Sequence, residues 1–295
     1  MNLSERSVRR GAACVGMMIL GLCGTAQAQF LYAADGALST AGNLYRVDTT
    51  TGLATTVGAL VDGMQNPYAI NGMAWDASTS TLYGTTSGAS PTLPAGLVTI
   101  NPITAQVTPV GALGFMPPNF GAGLDYTGGT LYGWAEGSLS ALFTANTASG
   151  AGAVVGTNGQ GINTTGSGLS TSMAGTTYVT PDGATGNLWQ VNLATGQLQA
   201  PTPLSGGTPM GRIGALQFES GTLFGAELVG DGVSGITSNR LISINTTTGA
   251  ITGIGQFRDA ATGGFLRNID ALAIPAPGAG AVLGLAALGA VRRRR

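Results

Sequence analysis

The amino-acid sequence predicts an all-β protein, a five-bladed β-propeller closed by pairing its first and last strands in one blade, and three observations carry that prediction. A hairpin pattern, NLWQVNLATGQLQAPTPL from Asn187, comes back four more times. It reads NLYRVDTTTGLATTVGAL from Asn43, GLVTINPITAQVTPVGAL from Gly96, ALFTANTASGAGAVVGTN from Ala141 and RLISINTTTGAITGIGQF from Arg240. A second strand pair alternates with these hairpins, and its aromatic marker falls at Tyr83, Tyr132, Tyr178 and Phe224, separated by 49, 46 and 46 residues. The array also begins and ends on complementary halves of one unit.

Each element follows from local pattern. In the hairpins an alternating strand, such as Leu188, Gln190 and Asn192 against Trp189, Val191 and Leu193, runs into a turn where Gly196 can take a positive φ. The second pair starts at Ile70 (INGMAWDASTSTLYGTTS), Gly121, Gly166 and Ile213, each reading as strand, turn, strand. Four strands per period of about 40 to 50 residues mark propeller blades, because one blade cannot bury both faces of its sheet alone. The core opens with FLYAAD at Phe30, a second strand lacking a first, and closes with NIDALAIP at Asn268, a first strand lacking a second. Joining them completes the fifth blade and leaves no open end. The blade count shifts by one if a connection such as Leu60 to Ile70 hides a strand. An open solenoid or β-helix is the alternative, and it leaves the incomplete ends unexplained.

Composition narrows the chemistry. The charged fraction is 8%, there are 50 glycines, and the chain has neither His nor Lys. Both cysteines, Cys14 and Cys23, lie in the apolar N-terminal segment. The remainder therefore cannot form a Ser-His or Cys-His nucleophile, a His or thiolate metal site, or a Schiff base. No cofactor and no metal is expected. From Gln29 to Pro275 twelve acids face five arginines, a net charge of −7, and an acidic core without basic patches argues against nucleic acid as a partner.

The two chain ends give an address. Residues 1–28 read as a signal peptide: Arg6, Arg9 and Arg10 precede an apolar Gly11 to Gly24, and Ala26-Gln27-Ala28 forms an A-x-A cleavage site after Ala28. An N-terminal signal helix, the secretion machinery and signal peptidase follow from that reading. The propeller domain spans 29–275, and 276–295 form a C-terminal tail. There Ile274-Pro275-Ala276-Pro277 precedes an apolar stretch, Gly278 to Val291, and then Arg292, Arg293, Arg294 and Arg295. This tail resembles the PEP-CTERM sorting signal of Gram-negative envelope proteins, in a PAP variant where Ala276 replaces the acid. The resemblance implies an exosortase-type sorting enzyme as partner, an apolar membrane-contacting C-terminal helix, and delivery to the cell envelope, cell surface or extracellular matrix. The core, about residues 30 to 275, resembles secreted β-propeller repeat proteins.

Propeller topology sorts the charges onto two faces. The face of first-to-second and third-to-fourth turns receives Asp48, Asp76, Asp125 and Glu219; Asp48 matches Asn101, Asn146, Asn192 and Asn245, a position suited to bonding the turn backbone. The opposite face receives Asp35, Asp62, Glu136, Asp182, Glu227, Asp231 and Asp259, with Arg212, Arg258 and Arg267 and the aromatics Tyr68, Phe115, Phe120 and Phe265. Aromatics beside carboxylates and arginines suit a saccharide or peptide site. The candidate ligand-binding residues are Asp35, Glu136, Asp182, Glu227, Arg212, Arg267 and Trp134; Trp75, Trp134 and Trp189 read as packing between blades, Trp134 being the one of the three best placed for exposure because it precedes a loop. The repeated tyrosines are expected to pack between blades.

The expected function is a non-catalytic, exported surface or matrix protein whose loop-rich face binds a surface component, with extracellular polysaccharide as the candidate. The alternative is a propeller glycosidase or polysaccharide lyase. It needs two carboxylates about 5 to 9.5 Å apart near the axis, whereas the sequence places only Asp270 clearly inside an innermost strand.

Overall fold

A computed structural model describes residues 30–36, 40–115, 122–162, 168–181, 186–208, 211–230 and 237–275. The N-terminal segment read as a signal peptide, with its expected cleavage site (Ala26, Ala28), and the tail from Ala276 onward, including Pro277 and Arg292 to Arg295, lie outside the described residues.

Five sheets form the five blades, antiparallel throughout except for one short parallel pairing at the outer edge of blade 1. Blade 1 combines β1 (Phe30–Asp35), β2 (Asn43–Asp48) and β3 (Leu53–Ala59) with a strand from the far end of the chain. Blade 2 is β4 (Ile70–Asp76), β5 (Thr81–Thr86), β6 (Gly96–Ile100) and β7 (Val107–Ala112). Blade 3 is β8 (Ala122–Thr127), β9 (Thr130–Ala135), β10 (Ala141–Ala145) and β11 (Gly152–Thr157). Blade 4 is β12 (Leu169–Thr171), β13 (Thr177–Val179), β14 (Asn187–Val191) and β15 (Leu198–Pro203). Blade 5 is β16 (Ile213–Glu219), β17 (Thr222–Gly230), β18 (Thr237–Ile244) and β19 (Ile251–Gln256). A two-residue β20 (Arg258–Asp259) and β21 (Ile269–Ala273) complete the chain. β21 pairs with β1, aligning Tyr32 with Ala273 and Ala33 with Leu272. The chain thus closes as its two half-blades predict. The Leu60 to Ile70 connection holds no further strand, only isolated bridges from Val61 to Pro67 and to Gln106.

The innermost strands are β4, β8, β12, β16 and β21, which neighbour one another around the axis. Each seam between blades has its own apolar cluster. Leu44 and Ala271 meet Ile70 and Met73 between blades 1 and 2, and Ala74 and Tyr83 meet Leu124 and Phe143 between blades 2 and 3. Trp134 and Leu142 meet Leu169 and Val191 between blades 3 and 4. Leu188 meets Ile213 and Ile242 across the next seam, and Phe224 and Leu241 meet Leu31 and Val47 where the ring closes. The repeated aromatics lie in these seams as expected: Tyr83 of blade 2 stacks on Tyr126 of blade 3, ring centroids 6.3 Å apart, and Tyr178 of blade 4 meets Phe218 of blade 5 at 5.7 Å.

A second closure runs around the outer rim. In blades 1, 2, 3 and 5 the fourth strand carries a bulge, with Val57, Val110, Val155 or Ile254 the extra residue, followed by Gly58, Gly111, Gly156 or Gly255. The third-to-fourth turn of the neighbouring blade docks on that glycine. A Cβ at Gly111, Gly156 or Gly255 would collide with the carbonyl oxygen of Ser149, Thr195 or Thr51. Backbone bonds accompany this docking: Val107 N to Val61 O (2.8 Å), Gly152 N to Leu113 O (2.9 Å), Leu198 N to Asn158 O (3.0 Å) and Ile251 N to Ser205 O (2.8 Å). Between blades 5 and 1 the same link is the parallel pairing of β20 with β3. The outer strands are therefore joined head to tail around the ring.

Candidate ligand site at the axial mouth

Arg212 and Arg267 stand just before β16 and β21, two adjacent innermost strands, at the end where the chain enters them. Arg212 Nη2 donates to Asp270 Oδ2 at 3.1 Å. Asp270 is the second residue of β21, and its carboxylate lies over Gly214 of the neighbouring inner strand, in space that a Cβ at Gly214 would fill. Burial pushes the Asp270 carboxyl up, and the Arg212 charge opposes that shift. The Arg212 side chain is 31% exposed against 13% for Asp270, so the cation is the member of the pair that faces solvent.

Two devices hold these groups. Asn239, buried, clamps the start of β21: Ile269 N donates to Asn239 Oδ1 (3.1 Å) and Asn239 Nδ2 donates to Ile269 O (3.2 Å). Asn268, between Arg267 and the clamp, adopts a left-handed φ of 55° that turns the chain into the strand. On the other side, Glu227 is fully buried and anchors the loop leading to Arg212. It accepts from Thr208 N (2.6 Å) and Thr208 Oγ1 (3.1 Å), and from Arg240 Nε (2.5 Å). Leu228 N then donates to Arg212 O at 2.7 Å, joining that loop to β17.

The candidate residues divide into those at this mouth and those that build loops. Arg212 lies at the start of β16, and Arg267 is exposed just ahead of the neighbouring β21. Glu227 is withdrawn from solvent, its oxygens taken by Thr208 and Arg240. Asp35 accepts from Asn43 N (2.5 Å) and Tyr45 Oη (2.8 Å), bonds that counter the rise its burial causes. Glu136 is half-buried in the β9–β10 connection. Asp182, like Asp231 and Phe120, lies outside the described residues. Pro275 follows β21, and with no N–H it cannot prolong the ladder.

Two expectations are corrected. Trp134 is buried rather than exposed, because strand alternation in β9 turns it into the seam of blades 3 and 4. Asp125 lies within innermost strand β8 rather than in a turn, because the two-residue Gly128-Gly129 turn, both at positive φ, lets the strand run through Thr127. Burial pushes the Asp125 carboxyl up to about 6, opposed by bonds from Thr171. Its Oδ2 is buried without a partner among the described residues.

The other loop-face groups are similarly occupied. Asp62 accepts from Met64 N, Asn66 N and Tyr68 Oη, and Asp259 from Ala261 N and Thr262 N. Tyr68 is buried, Phe115 packs on Phe143, and Phe265 lies beneath the Arg258 guanidinium at 3.9 Å. Sequence reasoning missed Gly214, Thr208 and Asn239. The available signal for Gly214 was register: aligned on Leu216 and Leu272, it takes the same place as Asp270.

No known protein family and no curated protein matches this chain. Among solved structures it is similar to a protein of unknown function from Bacteroides thetaiotaomicron, at 18% identity and TM-score 0.47, over 67% of this chain and 53% of that one. It is similar to the glutaminyl cyclase of Myxococcus xanthus, at 17% identity and TM-score 0.42, over 73% of this chain and 74% of that one. It is also similar to hydrazine synthase from Kuenenia stuttgartiensis, at 12% identity and TM-score 0.41, over 75% and 64%. The chain spans about half the length of the Bacteroides protein. These likenesses concern the chain path alone.

Proposed function

We propose that this chain is a non-catalytic, exported envelope protein, a propeller scaffold that binds a surface or matrix polysaccharide through its loop-rich face. One observation carries the reading: the carboxylate of Asp270, on an innermost strand, is engaged by the Arg212 guanidinium at 3.1 Å. Glycoside hydrolysis needs two carboxyl groups flanking the bond. Asp125, whose raised carboxyl would suit a general acid, is buried and bonded to Thr171 in the next blade, closed to a sugar. The signal-like start and the PEP-CTERM-like tail fit export, with signal peptidase and an exosortase-type enzyme as processing partners and the tail as a membrane contact.

The test uses protein recovered from its native envelope. Its intact mass should correspond to cleavage after Ala28, and loss of the residues beyond about Pro275 would support sorting. The same preparation should bind exopolysaccharide of its own cell without releasing sugar. Sugar release that disappears in Asp270→Asn would replace this reading with the glycosidase or lyase.

A further inference from the structure

The five arginines of the propeller are unequally employed. Arg46 lies over the Phe30 ring at 3.9 Å, Arg240 is bound to buried Glu227, and Arg258 covers Phe265 while donating to Gly263 O and Gln256 Oε1. These three belong to the framework. The remaining two, Arg212 and Arg267, precede adjacent innermost strands at the same end of the propeller. Arg267 is exposed and has no ion pair or ring contact among the described residues. Arg212 is fixed by Asp270, yet its Nε is buried without a partner there. In a propeller carrying twelve acids against five arginines, the topology brings two arginines and one largely buried carboxylate to the entry ends of the adjacent strands β16 and β21.

We infer that the axial mouth is an anion site for the uronate carboxylate of an acidic polysaccharide. Arg267 makes the direct contact and Arg212 completes it from the channel rim. The inference rests on the polysaccharide reading above and names the chemistry that reading leaves open. A guanidinium presents a planar fork of donors that matches a carboxylate bidentately. Asp270 orients the Arg212 fork and removes one unit of charge, leaving the pair of arginines a net charge suited to a single carboxylate. The Asn239 clamp and the left-handed Asn268 fix where Arg267 leaves the strand, and the Glu227–Thr208 anchor fixes the loop that carries Arg212. Arg212 is therefore held in place before binding, whereas Arg267 is fixed at its backbone and orders its side chain on the ligand.

The test compares the exported full chain with Arg267→Gln on immobilised polygalacturonate, on its fully methyl-esterified form, on dextran and on dextran sulfate. The expected result is retention on polygalacturonate that weakens with salt, with at least tenfold weaker retention on the methyl ester and on dextran. Arg267→Gln, at an exposed position, should keep the wild-type melting temperature and lose about tenfold in affinity for polygalacturonate. The double variant Arg212→Gln/Asp270→Asn, which removes the pair without stranding a charge, should lose affinity similarly. Equal binding to polygalacturonate and its methyl ester, or wild-type affinity in Arg267→Gln, would overturn the uronate site and leave the polysaccharide reading standing. Equal or tighter binding to dextran sulfate would replace carboxylate recognition with general anion attraction. Absence of binding to all four polymers and to exopolysaccharide of its own cell would remove both readings.

Discussion

On the turn face, Asp48, Asn101, Asn146, Asn192 and Asn245 occupy one repeated position and do one repeated job. Asn101 Oδ1 accepts from Ile103 N and Thr104 N, Asn146 Oδ1 from Ala148 N and Ser149 N, and Asn245 Oδ1 from Thr247 N and Thr248 N. On the loop face, Asp35, Asp62, Glu227 and Asp259 each hold a different loop through a different set of donors. The turn face distributes its stability over many equivalent backbone contacts. The loop face concentrates it in single carboxylates that have no counterpart in other blades. A face built from unique anchors can diverge loop by loop without disturbing the ring, which is where a binding site can be accommodated.

The largest effect should come from removing one such anchor. Glu227→Ala leaves Arg240 and Thr208 N without their acceptor in a buried place, a loss of about 3–5 kcal/mol. In a propeller of this size that lowers the melting temperature by on the order of 10 °C. Thermal unfolding checks the loss, and amide exchange should rise in residues 205–208 ahead of the turn face. An equal rise on both faces would contradict the division between them.

Asp125 lies between the two faces and couples blade 3 to blade 4. Its folded carboxyl is raised from 3.8 to about 6 by burial, so folding binds the proton more tightly than the unfolded chain does. The stability this group contributes is fully present below pH 3.8 and is lost as the pH rises to about 6. Asp125→Asn should therefore stabilise the protein at pH 7.5 by up to about 3 kcal/mol and differ little from wild type below pH 4. Urea unfolding at the two pH values measures the difference. Asp35 and Asp270 shift the same way and Asp62, Asp76 and Asp259 the opposite way, which is why the comparison is with the variant and not with absolute stability.

Substitution at the rim docking points tests the turn face directly. Gly156→Ala pushes a methyl group into the Thr195 carbonyl of the next blade and should cost about 1–3 kcal/mol. At Gly58 the corresponding Cβ would stand 3.2 Å from Thr104 O, so Gly58→Ala should cost less than about 1 kcal/mol. Equal melting temperatures for the two variants would argue that the rim is not a load path between blades.

The contrast between faces also explains what the sequence could reveal. Blade number, strand order and closure were legible because repetition exposes them: FLYAAD and NIDALAIP are recognisable halves only beside intact copies. The Val-Gly and Ile-Gly pairs repeated just as visibly, but their meaning was not, since a bulge and a docking point require knowledge of the neighbouring turn. At the mouth, Arg212, Asp270 and Arg267 were each visible as charges, whereas their pairing spans 58 residues and depends on the ring closing. Trp134 was misplaced because proximity to a loop was weighed above the two-residue period of its strand.

The smallest effect isolates the one acid in the repeated turn position. Asp48 Oδ1 accepts from Thr50 N (2.8 Å), Thr50 Oγ1 (2.6 Å) and Thr51 N (3.0 Å); the two backbone contacts recur at Asn101, Asn146 and Asn245, while Asn192 Oδ1 accepts from Ala194 N. Bonds led by the Thr50 hydroxyl hold the Asp48 carboxyl below its ordinary value, so its contribution is present above pH 3.8 and is lost as the pH falls through the lowered folded value. Asp48→Asn should thus change stability at pH 7 by less than about 0.5 kcal/mol. Acidification to pH 2.5 should then destabilise the wild type slightly more than the variant, because the asparagine turn has no proton to gain. The pair of melting curves distinguishes a turn held by geometry from one held by charge. A large loss at pH 7 would mean that blade 1, where the chain closes, needs the carboxylate itself.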